Sequence, residues 1–182
     1  MTTDIIEKQR AFFEAGNTLD TRSRRAIVQI LANTVKDVCG DGPVASGFNS
    51  LAQNIRKHLY RWTGTGRLRM LLSLFARPSS DGPAPLGTVL IDASGTDTPE
   101  PALNALAYAL AAGNTAVVMV PDSPDGEIIR KIVDDTFTDD FVATVPSGDT
   151  DTYPADLVYT CGSSLPRLGY EGFLAFSKMY SE

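Results

Sequence analysis

The sequence predicts an α/β fold: a doubly wound, mostly parallel sheet flanked by helices and preceded by further helices. Three observations carry this. Pro85 to Pro121 reads as strand, loop, helix, tight turn and strand. Within it, Val117 to Val120 is wholly apolar, as a strand covered on both faces is. Two more short strand patterns follow, Phe141 to Val145 beyond a second helical pattern and Asp156 to Thr160 beyond a polar loop. The 182 residues, 43% hydrophobic and 21% charged, suit one soluble domain with a core of its own.

Each element has its own signal. Residues 4–15 place Ile5, Ile6, Phe12 and Phe13 on one helical face and stop at Gly16-Asn17. Asp20 caps a longer helix whose stripe is Ile27, Ile30, Leu31, Val35 and Val38. Arg22, Arg24 and Arg25 sit in its first turns, where the helix dipole disfavours cations. They read as a solvated face, an acidic partner being the other reading. After the break at Cys39 to Pro43, residues 46–62 turn Phe48, Leu51, Ile55, Leu59 and Trp62 inward and Arg56, Lys57 and Arg61 outward. Thr63-Gly64-Thr65-Gly66 is a turn with no Lys-Ser/Thr after it, so it is no phosphate loop. Arg67 to Arg77 alternates Leu68, Met70, Leu72 and Leu74 on one side, which predicts a strand, and Pro78 to Pro85 links it onward.

The β-α-β unit follows. Thr98 is read as N-cap and Pro99 as first helical residue, with Leu103, Leu106, Ala107 and Leu110 inward and Gly113-Asn114 as the left-handed stop. Ser123 caps a helix over 124–136 with Ile128, Ile129, Ile132 and Val133 inward. The chain is thus read as one domain over 1–182: a helical part (1–62), a sheet with its helices (67–164) and a tail (165–182). Caps, stripes and turns agree with one another, which argues against a decayed gene copy.

Charge and rare residues exclude several functions. A net charge of −6 argues against nucleic acid and anionic membrane surfaces as partners. No apolar run approaches a membrane span. Two cysteines, Cys39 and Cys161, make no disulfide framework, and with no signal peptide a cytoplasmic, reducing setting is expected. A single histidine, His58, all but excludes a catalytic triad or a multi-histidine metal site. It lies among surface charges with no partner that the sequence can name.

Several segments together resemble the nucleotide-binding domain of the aldehyde dehydrogenase superfamily, a Rossmann-like fold. Residues 6–35 resemble its opening helices, and APLGTVLI (84–91) the strand that opens the nucleotide fold. ALAAGNTAVVMVP (109–121) resembles the A-I-A-A-G-N-x-V-V-L-K-P segment, the most specific of these matches. DLVYTCGSS (156–164) resembles the strand ending in F-T-G-S-T, and LGYEGFLAFSKMYS (168–181) the carboxyl-terminal tail. The last two abut here, whereas the family places a catalytic domain between them. The resemblance therefore implies a truncated member without the nucleophilic cysteine and general-base glutamate.

Departures from the family pattern bear on function. Ser94-Gly95-Thr96-Asp97-Thr98-Pro99 stands where the family has W-N-x-P, so the oxyanion-steadying asparagine is missing and Asp97 would oppose an oxyanion. Val120-Pro121-Asp122-Ser123 replaces K-P-S-E, and valine donates nothing to a ribose hydroxyl. Gly162-Ser163-Ser164 is followed by Leu165-Pro166 and not by the family's helix, which removes a phosphate platform. NAD-dependent aldehyde oxidation is not expected, nor is any cofactor or metal.

Two functions stay open. In the first, a small molecule occupies the crevice at the strand ends, in a cofactor-independent cyclisation, isomerisation or elimination within a biosynthetic pathway. Its candidate catalytic residues are Asp92, Asp97, Tyr159 and Cys161, and its candidate substrate-binding residues Ser94, Glu100, Ser163 and Tyr170. A buried Asp92 could act as acid or base; a turn-forming aspartate is the alternative. For Cys161 the alternative is a packed thiol. Tyr108 reads as a core residue. In the second, the chain is a non-enzymatic module that forms a homodimer or binds a full-length relative. It would use apolar surface at Leu68, Met70, Leu72, Leu74, Leu165, Leu168, Phe173 and Phe176.

Overall fold

The computed structural model describes residues 2–18, 20–62, 84–148, 150–162 and 175–178. Three helices come first: α1 (Thr2–Glu14), α2 (Thr21–Cys39) and α3 (Pro43–Trp62). Then follow β1 (Ala84–Pro85), β2 (Thr88–Asp92), α4 (Glu100–Ala112), β3 (Thr115–Val120), α5 (Pro124–Thr136), β4 (Val142–Pro146), a 3-10 turn (Thr150–Thr152), β5 (Leu157–Thr160) and β6 (Ser177–Lys178). The strand expected over 67–77 lies outside the described residues, as does the turn at 63–66.

Four strands form a parallel sheet in the order β4-β3-β2-β5. The chain winds outward from β2 through α4, β3 and α5 to β4, then returns to lay β5 on the other side of β2. The doubly wound, Rossmann-like expectation is met, and the order reverses between β2 and β5.

Strand alternation decides which side chains each layer receives. Val89, Ile91, Ala116, Val118, Val120 and Val142 share the main core with α2, α3, α4 and α5. Leu90, Val117, Met119 and Val145 face the other way and meet Ile6 of α1 and Tyr153. Gln9 of α1 also donates from Nε2 to the Ala116 carbonyl at 2.8 Å, which holds the helix to the sheet. Helix α4 is the centre of the main core: Leu103, Leu106 and Leu110 are fully buried, and so is Tyr108 as expected. Each such leucine contributes about 1.5–3 kcal/mol through the area it removes from water.

Three local expectations need correction. Helix α4 starts at Glu100, with Pro99 and not Thr98 at the cap position; Pro99 has helical dihedrals and makes no side-chain cap, while its carbonyl accepts from Leu103 N at 3.1 Å. Ile30 does not join the buried stripe of α2, which centres on Val28, Leu31, Ala32 and Val35; Ile30 is 51% exposed. Arg24 is no solvated cation. Its Nε donates to the Thr18 carbonyl at 2.6 Å and its Nη1 to the Ala112 carbonyl at 3.1 Å. It thus places positive charge at the carboxyl terminus of α4, where the helix dipole favours it.

The starts of β2 and β3 are tied together by polar side chains. Asn114, fully buried, accepts on Oδ1 from Leu86 N and Gly87 N at 2.6 and 3.1 Å. Its Nδ2 donates to the carbonyls of Ala109 and Phe176 at 3.1 and 2.8 Å. Phe176 is itself buried, and β6 beside it pairs antiparallel with β1. Asp156 accepts from Thr88 N at 2.8 Å, and it lies so close to Gly87 (φ +132°) that an added Cβ would stand 2.2 Å from its Oδ2. Only glycine fits there, for its backbone angle and for its lack of a side chain.

Candidate functional site

In an open sheet of this kind the ligand crevice lies beyond the carboxyl ends of the strands, at the point where strand order reverses. Here that point is between β2 and β5. Asp92 and Thr160 are register partners, and Cys161 N donates to the Asp92 carbonyl at 2.8 Å. The two loops leaving the switch point therefore begin at Ala93 and Cys161.

Four candidates gather at this seam, but they do not converge on one face. Strand alternation sends Tyr159 and Cys161 into the main core with Ile91 and Ala93, while Asp92 follows Leu90 and Thr160 toward the opposite side. The Asp92 carboxylate closes a turn: Oδ1 accepts from Ser94 N at 2.9 Å and from Ser94 Oγ at 2.6 Å. This is an Asx turn, the alternative reading of Asp92. Ser94 is exposed, so its hydroxyl faces solvent while it is bonded to Asp92. Thr96 continues the turn, with its Oγ1 on the Ala93 carbonyl at 2.9 Å.

The Cys161 thiol is only 4% exposed. Burial, reinforced by the nearby Asp92 charge, pushes its pKa up to about 12. At neutral pH it stays protonated and packs as a small apolar group, so the thiolate a nucleophile needs is not available. Tyr159 is half-buried, its ring centroid 5.2 Å from that of Phe176. Both residues pack into the main core.

Asp97 and Glu100 are the exposed members. Glu100 opens α4, where a negative charge suits the helix dipole, and its Oε1 lies 3.5 Å from where a Cβ on Gly47 of α3 would stand. Ser163 and Tyr170 lie outside the described residues. At the end of β3, Val120 is fully buried, and the Ser123 hydroxyl is occupied as the N-cap of α5, accepting from Gly126 N at 3.2 Å. An added Cβ on Gly126 would meet the Pro121 carbonyl at 1.9 Å, so this turn is packed tightly against its helix.

Taken together, the strand-end segments 92–100, 121–123, 146–148 and 160–162 carry Asp92, Asp97, Glu100 and Asp122 and no lysine, arginine or histidine. Toward a dinucleotide, the side chains of these described segments bring four carboxylates and no cation, and Val120 has no polar side-chain group for a ribose. No group of three or more His, Cys, Asp or Glu side chains among the described residues could hold a metal. No described helix is long and apolar enough to cross a membrane.

Sequence reasoning missed the binding roles of Arg24, Asn114 and Asp156, because their partners are distant in the chain. Arg56 and Lys57 lie on the outward face as expected, where they line a surface groove between α2 and α3 with Arg25, Gln53 and Tyr60.

No protein-family model matches the sequence. The chain is homologous to part of the 4,4'-diaponeurosporen-aldehyde dehydrogenase of Staphylococcus aureus, at 26% identity over 189 residues that cover 88% of this chain and 41% of that protein. A substrate-bound structure of Staphylococcus aureus AldH matches at TM-score 0.50 and 20% identity, over 80% of this chain and 36% of that one. Glyceraldehyde-3-phosphate dehydrogenase GapN of Methanocaldococcus jannaschii, complexed with NADP, matches at TM-score 0.47 and 13% identity, over 80% of this chain and 36% of that one. The resemblance to aldehyde dehydrogenases is borne out, and the chain spans well under half the length of these relatives.

Proposed function

We propose that this chain is an aldehyde-dehydrogenase-like scaffold without oxidoreductase activity, which binds a neutral or cationic small molecule in the crevice between the ends of β2 and β5. The observation that carries this reading is the charge of the crevice: Asp92, Asp97, Glu100 and Asp122 stand at the strand ends with no basic residue among them. The homologous dehydrogenases supply the scaffold, and the departures at Asp97, Val120 and Asp122 separate this chain from their chemistry.

Any reaction here is cofactor-independent proton transfer, as in a cyclisation, isomerisation or elimination within a biosynthetic pathway. Asp97 is the exposed carboxylate that takes the proton and returns it, Glu100 and Ser94 hold the ligand's polar groups, and Asp92 keeps the loop in shape through its turn. Tyr159 and the protonated Cys161 form the wall. Thermal unfolding with a panel of neutral and amine-bearing metabolites tests the reading. A saturable rise in melting temperature that Asp97→Asn abolishes, without lowering the stability of the free protein, is expected by mass action. A rise with NAD of the size a working dehydrogenase gives would overturn it.

A second reading rests on a different observation. Val158 on β5 is 46% exposed, an apolar side chain left at the surface of the sheet. Such exposed apolar surface is a candidate for self-association. Light scattering that returns a dimer mass, reduced to monomer by Val158→Lys, would favour a homodimeric interaction module.

A further inference from the structure

The groove between α2 and α3 is positively charged, in a chain whose net charge is −6. Its volume is about 340 Å³, and Arg25, Gln53, Arg56, Lys57 and Tyr60 line it. Three of these are cations and none is a carboxylate. Gln53, Arg56, Lys57 and Tyr60 follow one another at helical spacing along one face of α3, beside the apolar stripe of Phe48, Ala52, Ile55 and Leu59. Arg25 comes from α2, its guanidinium 5.3 Å from the Tyr60 ring centroid.

Arg56 is held in place by a hydrogen bond from Nη1 to Gln29 Oε1 on α2. Yet the Nε atoms of both Arg25 and Arg56 are buried with no hydrogen-bond partner among the described residues. A buried guanidinium N–H left unpaired costs free energy. Clustering three like charges costs more, and an anion would offset it. The ion pairs among the described residues leave all three cations out: they join Lys8 to Asp4, Lys36 to Asp41 and Arg130 to Glu127.

We propose that this groove binds the phosphate group of a small organic phosphate, with Arg25 and Arg56 as guanidinium donors, Lys57 as the third positive charge and the Tyr60 ring as a platform for the organic part. Guanidinium groups match the oxygens of a phosphate in pairs, and a phosphate dianion offsets more of the triple charge than one carboxylate can. Tyr60 beside Arg25 offers a flat apolar surface that a bare ion would leave unused. This site is separate from the acidic crevice and does not depend on the reading of that crevice.

Calorimetric titration at fixed ionic strength with inorganic phosphate, phenyl phosphate and sodium chloride tests the proposal on the full chain. Phenyl phosphate is expected to bind with the highest affinity, inorganic phosphate more weakly and chloride not at all. The double variant R56Q/K57Q should weaken both phosphates by about tenfold or more, since each lost charge-assisted bond is worth at least that in affinity. Tyr60→Ala should weaken phenyl phosphate alone. The variants' unfolding curves establish that each is folded, and Arg25→Gln repeats the test from the other helix. Equal binding by wild type and R56Q/K57Q, no phosphate binding up to tens of millimolar, or binding of polyglutamate in place of phosphate would each overturn the proposal.

Discussion

The two ends of the parallel sheet use polar residues in opposite ways. At the amino ends of β2 and β3, Asn114 makes four side-chain hydrogen bonds, Asp156 holds Thr88 N, and Arg24 crosses from α2 to the end of α4. At the carboxyl ends, Asp92 bonds within its own turn among the described residues, and Asp97 and Glu100 stand exposed. One end spends its polar groups on the fold. The other leaves them facing water, as binding loops on a rigid scaffold do.

If that contrast is right, substitutions at the two ends should separate by size. Asn114→Ala should have the largest effect, since it takes the side-chain partner from the Leu86 and Gly87 amides and from the Phe176 carbonyl in a dry site; a loss of about 3 kcal/mol or more is expected in urea unfolding. Gly87→Ala comes next, at about 2 kcal/mol, from the strained backbone angle and the contact with Asp156. Arg24→Ala should cost about 1–2 kcal/mol by freeing the carbonyls it holds. Asp97→Asn should stay within about 0.5 kcal/mol of wild type. A larger loss there would erase the distinction between the ends.

The smallest effect is a reaction that should not happen. With its pKa pushed up to about 12, Cys161 remains a thiol across the neutral range. Mass-mapped alkylation at pH 8 should therefore leave it unmodified in the folded protein and label it on unfolding. Rapid labelling of the native state would return Cys161 to the list of nucleophiles. Acid should also loosen the start of α2: hydrogen bonds from the Ser23 side chain and the Ser23 and Arg22 amides hold the Asp20 carboxyl below the usual carboxylate range. A depressed carboxylate stabilises the fold above its unfolded pKa and loses that contribution as pH falls through the folded one. Asp20→Asn should flatten that part of the acid unfolding curve.

What was legible in the sequence was local. The apolar runs of β2 and β3 and the Asp20 and Ser123 caps are set by neighbours within a few residues, and the structure keeps them. Ile30 failed because several apolar residues on α2 allow more than one stripe, and only the packed partners choose Val28, Leu31, Ala32 and Val35. Arg24 failed because its role depends on a carbonyl 88 positions away. The candidate site was legible in place but not in orientation: the strand ends were located, whereas the register that turns Asp92 and Cys161 to opposite faces belongs to the β2–β5 pairing.

The clasp between Asn114 and Phe176 also orders events in time. Asn114 waits for a carbonyl that lies 62 residues further along the chain. A chain emerging from a ribosome can therefore complete the β2-α4-β3 unit while one donor at its heart still has no acceptor. Loop closure over such a separation is slow compared with forming the adjacent strands. Residues 176–178 thus close a latch over the start of the sheet, one that a growing chain completes late.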